Sequence, residues 1–280
     1  MRRRRKYDFY LVVFLTILTV GYFTYNHMSA ESRGVENYSE ALEAYKASDY
    51  EKAYEDFAKV PSGSTLKPPA LFRQARCATN MDKKELAIKK YNRIVHSSVK
   101  SSIAPISEYN MANLMFEIQD KGAKKHFKKI IKKYPTSDYA VASNYYLGLI
   151  EVSNPPKSER WLKKSKNRAF IYFKNYLEEA PDGRFALKTI DEIKKLGVQL
   201  TNYDNLLIAK SYYANGEYTK AKDYLNKTTL AESWSDFAKN EYKLGNKEKA
   251  NYYAELGLKK HASNTVSYTH LRAHETLSDL

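Results

Sequence analysis

The sequence predicts an all-α protein made of helix hairpins and preceded by one apolar, membrane-length helix. Composition is the first reason: 280 residues include only 10 Gly and 8 Pro, against abundant Lys, Ala, Leu, Glu and Tyr, a balance that favours helices over sheet. Periodicity is the second. Ile208, Ala209, Tyr212 and Tyr213 recur at helical spacing, Asn215-Gly216 breaks the run, and Tyr218, Ala221, Tyr224 and Leu225 start a second stripe, so Leu206 to Leu225 reads as two helices and a turn. The third reason is an uncharged run from Phe9 to Phe23. Hydrophobic residues make up 43% of the chain, enough for a packed core, so the negative mean hydropathy reflects Lys-rich outer faces.

The chain opens with Arg2, Arg3, Arg4, Arg5 and Lys6, followed by the apolar stretch Tyr7 to Tyr25. At about 1.5 Å per residue this stretch spans roughly 28 Å, close to the hydrocarbon thickness of a bilayer. Tyr7, Phe9 and Tyr10 at one end and Tyr22, Phe23 and Tyr25 at the other match interfacial aromatic belts, and the basic run belongs in the cytoplasm by the positive-inside rule. Residues 1–6 are thus expected as a cytoplasmic basic segment, 7–25 as a signal-anchor, 26–37 as a linker, and the bulk as lying outside the cytoplasmic membrane of a bacterium. A cleavable signal peptide is the competing reading. Its cleavage site is poor, because Met28 and His27 stand near Ser29 and Ala30 where small side chains are needed, and no Cys follows to accept a lipid.

Hairpins then follow one another from residue 38 to 263. Tyr38 to Tyr45 forms one helix, Ser48-Asp49 turns and caps, and Tyr50, Ala53, Phe57 and Val60 give an apolar face that Pro61 stops. After a Pro- and Ser-rich connector, Ala70 to Ala78 pairs with a helix carrying Ala87, Tyr91 and Ile94. Ile106 to Ile118 pairs with one carrying Ala123 and Phe127. Asp138 to Ile150 contains Gly148, expected where two helices approach closely. Ser153 to Asn167 reads as a lengthened turn with a basic run at Lys163, Lys164 and Lys166, before Ala169, Phe173 and Tyr176 resume the pattern. Phe185 to Leu196 adds one helix. The last pair starts at Ser233 or Trp234, turns at Gly245-Asn246 and returns through Ala250, Tyr253 and Leu256.

At Ala209, Tyr212, Gly216, Tyr218, Ala221 and Leu225 the chain resembles the tetratricopeptide repeat, whose first helix carries a small residue and an aromatic, followed by Gly, an aromatic, Ala and a bulky residue. The step from Ala53 to Ala87 is 34 residues, the period of that repeat. Corresponding alanines at 53, 87, 123, 169, 221 and 250 give steps of 34, 36, 46, 52 and 29, an irregular array. The expected repeat-defining residues are Ala53, Phe57, Ala87, Tyr91, Ala123, Phe127, Gly148, Ala169, Phe173, Ala209, Tyr212, Gly216, Tyr218, Ala221, Leu225, Gly245 and Ala250. The segment KKYPTSDYAVASNYYLGLIE is similar to repeat joints of bacterial envelope proteins of this class. The resemblance implies an α-solenoid that presents a groove to a protein, peptide or cell-wall polymer.

The formal charge of +15 suits an acidic partner, while the absence of zinc-ligand spacing, a helix-turn-helix signature and RNA-binding aromatics argues against nucleic acid. No Walker loop, dinucleotide glycine pattern, H-E-x-x-H or nucleophile elbow occurs, so no catalytic residue, metal or cofactor is expected. Cys77, the single cysteine, reads as a small core residue, and His96 and His126 stand singly among lysines. GEYTKAKDYLNKTTLAESW resembles the helical N-terminal region of soluble-type lytic murein transglycosylases, a family that implies a catalytic domain further along the chain acting on peptidoglycan. Glu232 imitates that family's catalytic Glu-Ser pair but has too few residues after it to build a cleft. From Val266 the sequence VSYTHLRAHETLSDL loses the Lys and Tyr habit and looks like a translated sequencing adapter, so residues 264–280 are expected to be non-native or disordered and the natural gene to continue beyond Thr265. His270 and His274 in that tail are no metal site. The expectation is a membrane-anchored repeat scaffold of the bacterial envelope; the alternative is a truncated lytic transglycosylase.

Overall fold

The computed structural model describes residues 2–97, 102–153, 155–229 and 233–260. Glu232 and the tail from 264, with His270 and His274, lie outside the described residues. All regular secondary structure among the described residues is helical, and the chain divides into two compact units, Met1–His126 and Phe127–Leu280.

The first unit holds α1 (Arg2–Lys46), α2 (Tyr50–Lys59), α3 (Lys67–Asn80), α4 (Lys84–Val95), α5 (Ala104–Glu117) and the first residues of α6 (Ala123–Lys133). The expected linker at 26–37 is helical, so α1 runs without interruption from the apolar stretch into the first hairpin. No proline interrupts this stretch, and its end is held laterally. Asn37 Nδ2 donates to the Lys59 carbonyl at 3.1 Å, and the Thr65 amide and hydroxyl both donate to the Glu31 carboxylate. Gly34 permits that approach, since a Cβ there would stand 2.3 Å from Ser64 Oγ.

Asp49 caps α2 by accepting from the Lys52 amide at 3.1 Å, a bond that satisfies one of the orphan donors at a helix start. Val60 ends that helix before Pro61, and Pro68 sits in the first turn of α3, where its missing N–H costs nothing. Ala41, Ala44, Ala53, Phe57, Val60, Ala70 and Cys77 form one core cluster. Ala87, Tyr91 and Ile94 are buried on α4.

The second unit continues α6 and adds α7 (Asp138–Ser153), α8 (Glu159–Glu179), α9 (Ala186–Leu196), α10 (Asn202–Ala214), α11 (Tyr218–Leu225), α12 (Trp234–Lys243) and α13 (Lys247–Lys260). α7 packs on α8, α10 on α11 and α12 on α13, while α9 lies against α8. The lengthened turn expected over Ser153 to Asn167 is a correction: the chain is helical from Glu159, so the inserted residues extend the second helix of the pair to 21 residues. Ser158 is extended at the N-cap position and Glu159 follows in the first turn. Ser165, Ala169 and Phe173, all buried, then continue one face at helical spacing.

α10 begins with a reciprocal cap between Thr201 and Asp204. Gly216 and Gly245 take φ of 78° and 80° in the turns that follow α10 and α12, the left-handed region where glycine has no steric penalty. Ala169, Phe173, Tyr176, Leu177, Ile190, Ile208, Tyr212 and Ala221 belong to the main core of this unit.

Candidate interaction grooves

Most of the sequence-predicted repeat residues lie beneath the surface, whereas Tyr218 is half-buried and Gly216 and Gly245 are exposed in turns. Ala53, Phe57, Ala87, Ala123, Phe127, Ala169, Phe173, Ala209, Ala221, Leu225 and Ala250 are buried, as are Tyr91 and Tyr212. Their role is to set helix spacing: alanine removes bulk where helices approach and the aromatic on the facing turn fills the remaining volume. Around Tyr145 this becomes an aromatic stack, with Phe185 at 4.4 Å and Tyr176 and Phe173 slightly further away. The surface of each unit carries a groove.

In the first unit a groove of about 410 Å³ opens between α3 and α5. Phe72, Tyr91, Ile106 and Leu114 supply apolar surface, while Arg76, Thr79, Asn80, Asn110 and Asn113 supply hydrogen-bonding groups, and Glu117 stands at one end. Phe72 packs edge-on against Tyr91 at 5.7 Å, and Asn110 Nδ2 donates to the Tyr91 hydroxyl at 3.4 Å. Burial pushes the Tyr91 phenol up, although the Asn110 bond pulls the other way, so its hydroxyl is a neutral donor or acceptor. The Glu117 carboxylate is engaged by Lys84 Nζ at 3.0 Å. Arg76 is exposed and has no carboxylate partner among the described residues; its guanidinium stands 5.9 Å from the Tyr45 ring. Asn113 Oδ1 is buried and accepts no hydrogen bond among the described residues. Tyr91 is legible in the sequence. Arg76, Asn80, Asn110 and Asn113 carry no motif, although the spacings 76/80 and 110/113 put each pair on one helix face.

The second groove, about 730 Å³, lies between the first half of α8 and the residues that end α9. Its floor is apolar and its rim carries Lys163 and Lys166. Lys166 Nζ donates to the Leu196 carbonyl at 3.1 Å, a favourable place for a cation at a helix C-terminus.

Among the described residues no group of three or more His, Cys, Asp or Glu could hold a metal ion. His96 is exposed with Nδ1 on the Asn92 carbonyl, and His126 Nδ1 is 3.2 Å from the buried Glu108 carboxylate. Cys77 is buried, and desolvation pushes its thiol up to about 11, the state of an inert core thiol.

The sequence pattern of the tetratricopeptide repeat matches residues 69–100, 107–137 and 205–229. The chain carries tetratricopeptide repeats. The matched segments cover helices α3 and α4, α5 and α6, and α10 and α11, so this repeat scaffold is all-α by sequence pattern and by structure alike. Solved structures with a similar course include a tetratricopeptide repeat protein from Parabacteroides merdae (15% identity, 86% of this chain and 97% of that one, TM-score 0.47). The MamA protein matches at 15% identity over 78% of this chain and 94% of that one, with a TM-score of 0.43. PilF of Pseudomonas aeruginosa matches at 15% identity over 88% and 99%, with a TM-score of 0.39. No curated protein sequence matches the chain. Nothing in these comparisons supports the resemblance to lytic transglycosylases. Leu11–Lys46 is, among the described residues, a helix long and apolar enough by length and composition to cross a membrane.

Proposed function

We propose that this repeat scaffold is held at a bacterial cytoplasmic membrane by residues 7–25 and binds a protein or peptide partner on its outer side through the α3–α5 groove. The repeat domain covers residues 38–263 in this reading, and Arg2, Arg3, Arg4, Arg5 and Lys6 retain the N-terminus in the cytoplasm. The observation that carries the binding role is the α3–α5 groove itself: an apolar floor beside an exposed guanidinium without a carboxylate partner among the described residues. An extended peptide supplies a carbonyl or carboxylate for Arg76 and apolar side chains for the floor. Anchor retention is supported by the apolar stretch, whose side chains from Leu11 to Met28 are largely exposed and so require another apolar phase.

A photo-crosslinking residue at Thr79, on the groove wall, tests the binding role in cells. A discrete protein adduct that disappears in Arg76→Glu, and that is absent when the crosslinker is moved to exposed Lys243, is the expected result. Adducts insensitive to Arg76→Glu overturn the assignment to this groove. Orientation is tested separately by fusing a topology reporter after Lys259, which should be active outside the cytoplasm; activity inside contradicts it.

A further inference from the structure

The α8–α9 groove lies outside the three matched repeat segments and exists because α8 starts early, at Glu159. Leu162, Phe170, Ile171, Leu196 and Val198 make its floor, and Ile171 remains 54% exposed, which is costly for a large aliphatic side chain left in water. The volume of about 730 Å³ falls within the range of ligand-holding clefts, roughly 300–1,000 Å³.

Charge identifies the occupant. From Glu159 to Tyr176 α8 carries Arg160, Lys163, Lys164, Lys166, Arg168 and Lys174 against the single acid Glu159. Arg168 is matched by Glu151 at 2.7 Å and Lys174 by Asp204 at 2.8 Å. Arg160, Lys163, Lys164 and Lys166 have no carboxylate partner among the described residues; Lys164 instead stands 4.9 Å over the exposed Trp161 ring, and Lys166 caps α9. Of these only Lys163 and Lys166 line the groove, where they outnumber its one acid, Glu159, and beside the apolar floor they complement a segment that alternates acidic and apolar residues.

We infer that this groove is a second docking site, which takes an acidic, amphipathic peptide segment of a partner protein with its apolar side chains on Leu162, Phe170 and Ile171 and its carboxylates on Lys163 and Lys166. The site is concave, walled by α8 on one side and the end of α9 on the other, so it favours an inserted peptide over a flat anionic bilayer surface. It is independent of the α3–α5 groove and stands or falls without it.

The full chain in detergent micelles, titrated with a fluorescein-labelled twelve-residue peptide alternating Asp or Glu with Leu and Phe, tests this. Saturable binding should be weakened at least tenfold by K163E/K166E and by Ile171→Asp. It should also weaken with rising salt, and it should be unchanged in the charge-matched surface variant K243E/K247E and in Arg76→Glu. Thermal midpoints of the variants are measured alongside, and all positions changed are at the surface or rim. Equal binding of a twin peptide with Asn and Gln in place of the acids overturns the proposal. So does equal loss in K243E/K247E, or binding of phosphatidylglycerol vesicles by a chain that ignores the peptide.

Discussion

Phe173 occupies the space a side chain would take at Gly148: a Cβ built on that glycine would stand 2.3 Å from the ring's Cε1 and 2.5 Å from Cδ1. Both residues are buried, and Phe173 is a ring in the core rather than the movable tip of a chain. Gly148→Ala should therefore destabilise the second unit, despite the intrinsic helix preference of alanine, by about 1–3 kcal/mol of overpacking. Thermal denaturation followed by circular dichroism checks this, and Phe173→Leu in the same chain should recover part of the loss, because two residues in contact do not act additively.

A second pair tests acid stability. Glu241 is buried on α12; burial raises its carboxyl, but hydrogen bonds from Lys222 (2.7 Å) and Asn246 (2.6 Å) outweigh this and leave it below its ordinary value. Asp204 is likewise pushed up by burial and brought down further by Lys174 and the Thr201 cap. A carboxylate depressed in the folded state adds stability that is complete above about pH 5 and disappears as pH falls through the folded value. Asp236 runs the opposite way, since burial raises it in spite of Lys210. Lys222→Met isolates one contribution: it should cost about 3 kcal/mol at neutral pH by stranding a buried charge and make the acid side of the stability profile shallower than wild type. An unchanged profile contradicts the pairing.

Cys77 offers a reporter of folding. With its thiol buried and pushed up to about 11, almost no thiolate is present or reachable at neutral pH. Reaction with a maleimide should be slow in the native protein and rapid in urea, with a midpoint that follows the spectroscopic one. Rapid native labelling would contradict the packing around α3.

Ala87 is fully buried on α4, so a larger side chain there has to displace packed neighbours. Ala87→Leu should cost about 1–3 kcal/mol. Two positions along the same helix, Lys89 is exposed, and Lys89→Ala is the suitable control, expected to change stability by less than about 0.5 kcal/mol. Urea melts of the two variants measure both effects.

The hairpins were legible because burial imposes a period on the sequence. Ala53, Phe57, Ala87 and Tyr91 repeat because each must meet the facing helix, and Gly216 and Gly245 mark turns that need positive φ. The early start of α8 was hidden, because a run of lysines with Ser165 as its one buried residue looks like a solvated loop until the neighbouring helix that packs on it is known. Groove residues such as Arg76, Asn80 and Asn113 were hidden for a related reason: a polar residue facing solvent and one facing a groove carry the same local pattern. The buried ion pairs join residues far apart in sequence, Lys174 with Asp204 and Lys222 with Glu241, and no local rule connects them.

The uninterrupted course of α1 has a mechanical meaning. At about 1.5 Å per residue its 45 residues make a rod of roughly 68 Å, clasped about two-thirds of the way along, at Glu31, by Thr65 and farther on, at Asn37, by the Lys59 carbonyl. Such a rod acts as a lever and not as a tether. Any tilt or rotation imposed on its apolar half is delivered directly to the first hairpin, with no swivel between them to absorb it.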